Sequence, residues 1–172
     1  MGLIGSSLAL LYCGGHGVYL SPLSFIQDPC LWLLLITRYH GTHLQSPNFA
    51  FSLLLRRLPY CPYRTQIDLR SVRHWFNAAE PIQVDIMQQF IEMASTEFGL
   101  NRSALVGGYG LAESCVYVSD EGQQILRIRR EPFERDQIVE VVSEEDFVKQ
   151  GKMQGEEVVR NRELSIADGE CE

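Results

Sequence analysis

Residues 72–110 read VRHWFNAAEPIQVDIMQQFIEMASTEFGLNRSALVGGYG, and three segments within them decide the fold. Val72 to Phe76 is a strand candidate. Glu80-Pro81 then opens a helix, where Ile82, Ile86, Phe90 and Met93 share one face at i, i+4, i+8 and i+11, with Met87, Ile91 and Ala94 beside them. Gly99 stands where a helix commonly ends in a left-handed residue. Ala104 to Val106 is a second short, buried strand, closed by Gly107-Gly108. Strand, helix and strand at these lengths make a βαβ unit, which implies parallel strands and a right-handed crossover.

The same alternation extends upstream. Residues 3–13 form an apolar helix, expected to be buried, and Gly14, Gly15 and Gly17 separate it from a short strand at Val18-Tyr19-Leu20. Asp28-Pro29 is an N-cap followed by proline at the first helical position. It starts a helix from Cys30 to about Tyr39 that is apolar nearly all round and so expected to be largely buried. A strand from Thr42 to Leu44 follows Gly41. Ser46-Pro47 repeats the cap-plus-proline signal for a helix that Pro59 ends, and 60–70 reads as a loop. After Glu113 the pattern changes: 115–118, 124–130 and 137–142 look like short antiparallel strands, and 143–172 is charged and assigned no structure. The expected class is therefore α/β, an incomplete parallel βαβ sheet flanked by helices and followed by a few short antiparallel strands. The expected division is 1–119 and 120–172.

Composition bounds the function. The 172 residues carry a net charge of −7, but six Arg face two Asp in residues 1–75 (+4), leaving nine basic and twenty acidic groups afterwards (−11). No basic patch with interleaved aromatics is present, so nucleic-acid binding is not expected. Five scattered cysteines contain no CxxC pair, which argues against a zinc ribbon or a disulfide framework and fits a reducing, cytoplasmic compartment. The apolar run Leu3 to Tyr12 is too short for the ~20 residues that span a bilayer. Met1-Gly2-Leu3-Ile4-Gly5-Ser6 also matches an N-myristoylation pattern.

In open α/β sheets, ligands bind beyond the carboxyl ends of the strands. Two segments leave strands there: Asn77-Ala78-Ala79-Glu80 and Gly108-Tyr109-Gly110. Small residues let the backbone approach a flat ligand, Tyr109 offers an aromatic face, and Glu113 offers a hard oxygen ligand. An adenine nucleotide with Mg²⁺ wants these groups.

Gly108-Tyr109-Gly110-Leu111-Ala112-Glu113 resembles the Tyr-Gly-x-Thr/Ala-Glu motif of the adenylate-forming superfamily, in the Ala form typical of the fatty acyl-AMP ligases. Asn77-Ala78-Ala79-Glu80-Pro81 is similar to that branch's Asn-Gly-Ala-Glu-Pro segment, with Ala78 for the usual Gly. Pro47-Asn48-Phe49-Ala50-Phe51 resembles its Pro-Asn-Phe-Ala-Tyr segment. Leu20 to Phe25, Ile36 to Tyr39 and Met1 to Gly5 match in sequence and order, the last like the tail of His-Asp-Met-Gly-Leu-Ile-Gly. The resemblance is close over residues 1 to about 119 and looser from 120 to 155.

The resemblance implies ATP-dependent activation of a fatty acid as an acyl adenylate, followed by transfer to the thiol of an acyl carrier protein or polyketide synthase. It implies that Tyr109 stacks on adenine, that Asn77, Ala78 and Ala79 line the edge of the base, and that Gly108 and Gly110 let the backbone approach. Glu113 would be the catalytic residue that helps hold Mg²⁺, and Asn48 and Phe49 would wall the acyl tunnel. No Ser/Thr/Gly-rich phosphate loop ending in Lys occurs in the sequence. The family's ribose-binding Asp motif and C-terminal catalytic Lys are also missing, so the leading expectation is an internal fragment of the large N-terminal domain, inactive alone. The alternative is a catalytically inactive relic that acts as a nucleotide- or acyl-binding or interaction module. A myristoylated peripheral protein ranks below both. A sheet lacking neighbouring strands would expose apolar faces, so aggregation or strong dye binding is expected of the fragment.

Overall fold

The computed structural model describes residues 2–115, 118–122 and 126–143, and the chain divides into two compact units, Met1–Gln123 and Gln124–Glu172. The first unit begins with a π-helical stretch, Gly2–Leu8, continued by α1 (Ala9–Cys13). Next come α2 (Pro22–Gln27), α3 (Cys30–Tyr39), β1 (His43–Ser46), α4 (Asn48–Arg57), β2 (His74–Asn77), α5 (Val84–Phe98), β3 (Leu105–Tyr109) and β4 (Ser119–Gly122). The sheet order is β1-β2-β3-β4, with the first three strands parallel and β4 antiparallel to β3. This is the α/β class that the βαβ reading of residues 72–110 implies.

Local chemistry explains most boundaries. Asp28 Oδ1 accepts from the backbone N–H of Cys30 at 3.1 Å, which satisfies one orphan donor of α3. At the other end His40 takes the left-handed conformation (φ 51°) and Gly41 N–H donates to the Ile36 carbonyl at 2.9 Å. Gly99 ends α5 with φ 72°, as its position in the sequence indicates.

The core lies on one face of the sheet, where α3, α4 and α5 meet β2. Trp75 sits at its centre, fully buried, with ring centroids 5.1 Å from Trp32, 5.5 Å from Phe51 and 5.3 Å from Phe90. The Trp32 and Phe90 contacts are edge-to-face and the Phe51 contact is tilted; edge-to-face pairs at these separations add about 0.5–1.5 kcal/mol each beyond area burial. The indole N–H donates to Ser46 Oγ at 3.0 Å, so the one polar atom of Trp75 is satisfied inside the core. Cys30 is part of the same core, and burial, with the Cys61 thiol beside it, pushes its thiol up to about 12.

Several expectations are corrected. The segment at residues 3–13 is not a buried helix: it has no buried residue, and Leu3, Leu11 and Tyr12 are 71%, 75% and 93% exposed. Gly2, Gly5, Ser6 and Ser7 weaken α-helical propensity, and the segment's packing includes Gly5 against the Gln45 side chain. Val18 to Leu20 is not a strand. Helix α3 fully buries one stripe, Cys30, Leu33 and Ile36, and leaves Leu31, Trp32, Leu34 and Leu35 half-buried. Helix α5 starts at Val84, three residues beyond Pro81.

Cys115 is left-handed (φ 53°) and residue 118 is a bend, so the antiparallel strand begins at Ser119; residues 116–117 lie outside the described residues. In the second unit, the expected strands at 124–130 and 137–142 reduce to a single antiparallel bridge between Ile128 and Val141; residues 124–125 lie outside the described residues. Between the bridged residues runs a helix that no sequence signal led us to expect, α6 (Arg130–Asp136), with Pro132 in its first turn and an Arg130–Glu134 pair at 2.9 Å. No helix among the described residues is long and apolar enough to cross a membrane.

Candidate functional site

Three chain segments leave the parallel strands at their carboxyl ends: Ser46-Pro47-Asn48-Phe49 after β1, Asn77-Ala78-Ala79-Glu80 after β2, and Tyr109 to Glu113 after β3. The register pairs Ser46 with Asn77 and Asn77 with Gly107, so all three emerge side by side at one edge. Spacing in the sequence separates them by about thirty residues each; parallel pairing brings them together.

The first two segments are stitched into one piece. Asn77 Nδ2 donates to Asn48 Oδ1 at 3.4 Å, and the backbone N–H of Gln83 donates to the same oxygen at 3.1 Å. The Ala78 N–H donates to the Ser46 carbonyl at 3.3 Å. Finally, Glu80 Oε1 accepts from the N–H of Phe49 in the first turn of α4. Sequence alone assigns that capping role to Ser46. Ser46 instead ends β1, where its hydroxyl accepts from the Trp75 indole, and a carboxylate thirty-four residues on caps α4. Ser46 and Gln83 are thus structural partners of the site that no motif assigns to it, and Glu80, a motif residue, has a bonding role that the motif does not state.

Exposure divides the expected site residues into two groups. Asn77, Ala78 and Asn48 are buried, whereas Ala79, Gly110 and Glu113 are exposed and Phe49 and Tyr109 are 49% and 45% exposed. Ala79 has φ 78°, the left-handed region in which an L side chain is strained. Asn77 Oδ1 is buried without a hydrogen-bond partner, an arrangement that costs about 1–3 kcal/mol unless a donor reaches it. At β3, a side chain on Gly108 would drive its Cβ into the Phe76 ring, so glycine is required for that ring to lie against the strand. Tyr109 is held by its carbonyl, which accepts from Val118 N–H at 3.0 Å, and Glu113 sits in the 3₁₀ turn Ala112–Ser114. Among the described residues no three His, Cys, Asp or Glu side chains form a metal-binding group. A single exposed carboxylate such as Glu113 still suits Mg²⁺, which usually keeps several waters and takes substrate phosphate oxygens beside one or two carboxylates.

This is an α/β unit whose first three strands are parallel, with three motif-bearing loops side by side at their carboxyl ends. The sequence profile described as AMP-binding enzyme matches residues 1–167, and the chain belongs to that family. The chain is 38% identical over 144 residues to the medium-chain-fatty-acid–[acyl-carrier-protein] ligase JamA of Moorena producens, covering 81% of this chain and 24% of that ligase. It is 32% identical over 149 residues to the long-chain-fatty-acid–AMP ligase FadD32 of Mycolicibacterium smegmatis, covering 82% of this chain and 23% of the other. The crystal structure of the fatty acyl-adenylate ligase from L. pneumophila, in complex with acyl adenylate and pyrophosphate, superimposes with a TM-score of 0.74. Its identity is 35%, covering 83% of this chain and 25% of that one. The chain thus spans about a quarter of the length of these relatives, and the relatives are the fatty acyl-AMP ligases that the motifs resemble.

Proposed function

We propose that this chain carries the adenine edge and part of the acyl wall of an ATP-dependent ligase that converts a fatty acid to its acyl adenylate. The acyl group then passes to the thiol of an acyl carrier protein or polyketide synthase. In this reading Tyr109 stacks on the adenine ring, for which its half-exposed side chain and the exposed backbone at Gly110 leave room, while Gly108 lets the strand close on the Phe76 ring behind it. Ala79 lines the edge of the base, with the buried Ala78 and Asn77 directly behind it. Phe49, half-exposed at the start of α4, contributes to the wall of the acyl tunnel beside Asn48, whose Oδ1 accepts from the Gln83 N–H.

The chemistry required is in-line attack by a carboxylate on the α-phosphorus of ATP, in which positioning and charge stabilisation dominate. Mg²⁺ neutralises phosphate charge in such reactions, and Glu113 is the residue here that would help to hold it. The rest of this chain binds and orients. Cytoplasmic action is part of the same reading, and scattered cysteines without a CxxC pair fit it.

The observation that carries this reading is the register of Asn77 with Gly107, which supports one edge shared by the two nucleotide motifs. The test is calorimetric titration of the 172-residue chain with a dodecanoyl sulfamoyl adenosine, a non-hydrolysable mimic of the acyl adenylate. Tyr109→Ala is expected to weaken binding by about tenfold, the value of one lost aromatic stack. Phe49→Ala is expected to weaken the acyl analogue while leaving AMP unchanged. Binding that is absent in the wild-type chain, or indifferent to Tyr109, overturns the reading.

A further inference from the structure

The contact between Glu80 and the first turn of α4 lies outside every motif role described above. Glu80 is exposed, so no packing requirement places a carboxylate there. It nonetheless reaches across thirty-one residues of sequence to accept the Phe49 N–H. The immediately preceding residue, Ala79, is the strained one, with φ 78°. The loop is therefore held at both ends: Ala78 N–H is fixed on the Ser46 carbonyl, and Glu80 is fixed on α4, with Ala79 strained between them. A left-handed alanine persists only where its surroundings over-determine it. The negative carboxylate also sits at the positive end of a ten-residue helix, which favours the same arrangement.

We infer that Glu80 is a positioning residue: it latches the Ala78-Ala79 loop to the helix carrying Phe49, so that the adenine and acyl subsites are set by one shared contact. The inference rests on the reading of those two subsites given above. Two consequences follow. Loss of the carboxylate loosens the loop and the first turn of α4 together. It also weakens a ligand that spans both subsites more than a ligand that occupies the adenine side alone.

The experiment uses the whole chain with Glu80→Ala and Glu80→Gln, the second keeping an acceptor oxygen of the same reach. Amide hydrogen exchange is followed by NMR at Phe49, and titrations are made with AMP and with dodecanoyl sulfamoyl adenosine. In Glu80→Ala, Phe49 exchange is expected to rise about tenfold and the acyl adenylate mimic to bind about tenfold more weakly, with AMP weakened less. Glu80→Gln should restore most of both. If the wild-type chain binds the mimic and Glu80→Ala binds it equally well, the positioning role is overturned and the subsite reading survives. The role is likewise overturned if exchange at Phe49 changes without any change in affinity, which is what a plain helix cap would give. If the wild-type chain binds neither compound, the subsite reading fails, and the positioning role falls with it.

Discussion

The side-chain amide of Asn77 donates to Oδ1 of Asn48 at 3.4 Å, with both side chains buried. The sequence assigns these two residues to different subsites, one for the base and one for the acyl chain. In the fold they form a single polar contact at the seam between β2 and α4, and Asn48 also accepts the Gln83 N–H. A buried amide pair of this kind fixes geometry because each group is costly to leave unpaired.

Asn48→Ala therefore removes an acceptor used twice and strands the Asn77 amide in the interior. The expected loss of stability is about 2 kcal/mol, in the range for a buried donor left unsatisfied. Urea unfolding of the two proteins measures it. A midpoint unchanged by the substitution would show that Asn77 finds another acceptor.

Gly108→Ala drives a methyl group into the Phe76 ring and to 3.0 Å from the Ser119 carbonyl. The ring must leave its stacked position on His74, where the planes lie 15° apart. The expected cost is about 1–3 kcal/mol, typical of overpacking. Combining it with Phe76→Ala removes most of the clash, so the two substitutions should be strongly non-additive in a double-mutant cycle. Simple additivity would mean that the ring is not the obstacle.

Asp68 is expected to titrate low. Its carboxylate accepts from Arg70 Nε at 2.9 Å and from Arg70 Nη2 at 2.6 Å, and these bonds hold it down from 3.8 to about 2. A depressed folded-state value stabilises the fold above the unfolded-state titration near pH 4. That contribution is lost as pH falls from about 4 through about 2. Arg70→Ala should return Asp68 towards the ordinary carboxylate range and flatten the dependence of stability on pH in that window. A ¹³C titration of the Asp68 carboxyl in both proteins measures the shift directly. An identical titration in the variant would show that Arg70 is not its cause.

The βαβ unit was legible in residues 72–110 because its signals are local: helical periodicity from Ile82 to Met93, a terminal Gly99, and apolar strands on either side. The six collinear motifs were legible for the same reason, and they resemble those of the fatty acyl-AMP ligases. Where local signals were weak, the reading failed. The run at 3–13 was apolar enough to suggest burial, but burial depends on a partner surface, which hydrophobicity alone does not supply. Helix α6 falls on the connection between the strands expected at 124–130 and 137–142, a stretch of seven residues too short to show a helical period.

For the candidate site, the sequence by itself determined which residue types stand at the strand ends and in what order. Only the tertiary structure decided which of them face outward and which hold the others. Tyr109, Phe49 and Ala79 are presented at the edge, while Asn77 and Asn48 are buried and bonded to each other. Ser46 looked like a helix cap and became the partner of Trp75, and Glu80 took over the cap from a distance. The reason is physical: the buried indole N–H of Trp75 must be paired and takes the Ser46 hydroxyl, while parallel strand pairing brings Glu80 beside an orphan N–H in the first turn of α4.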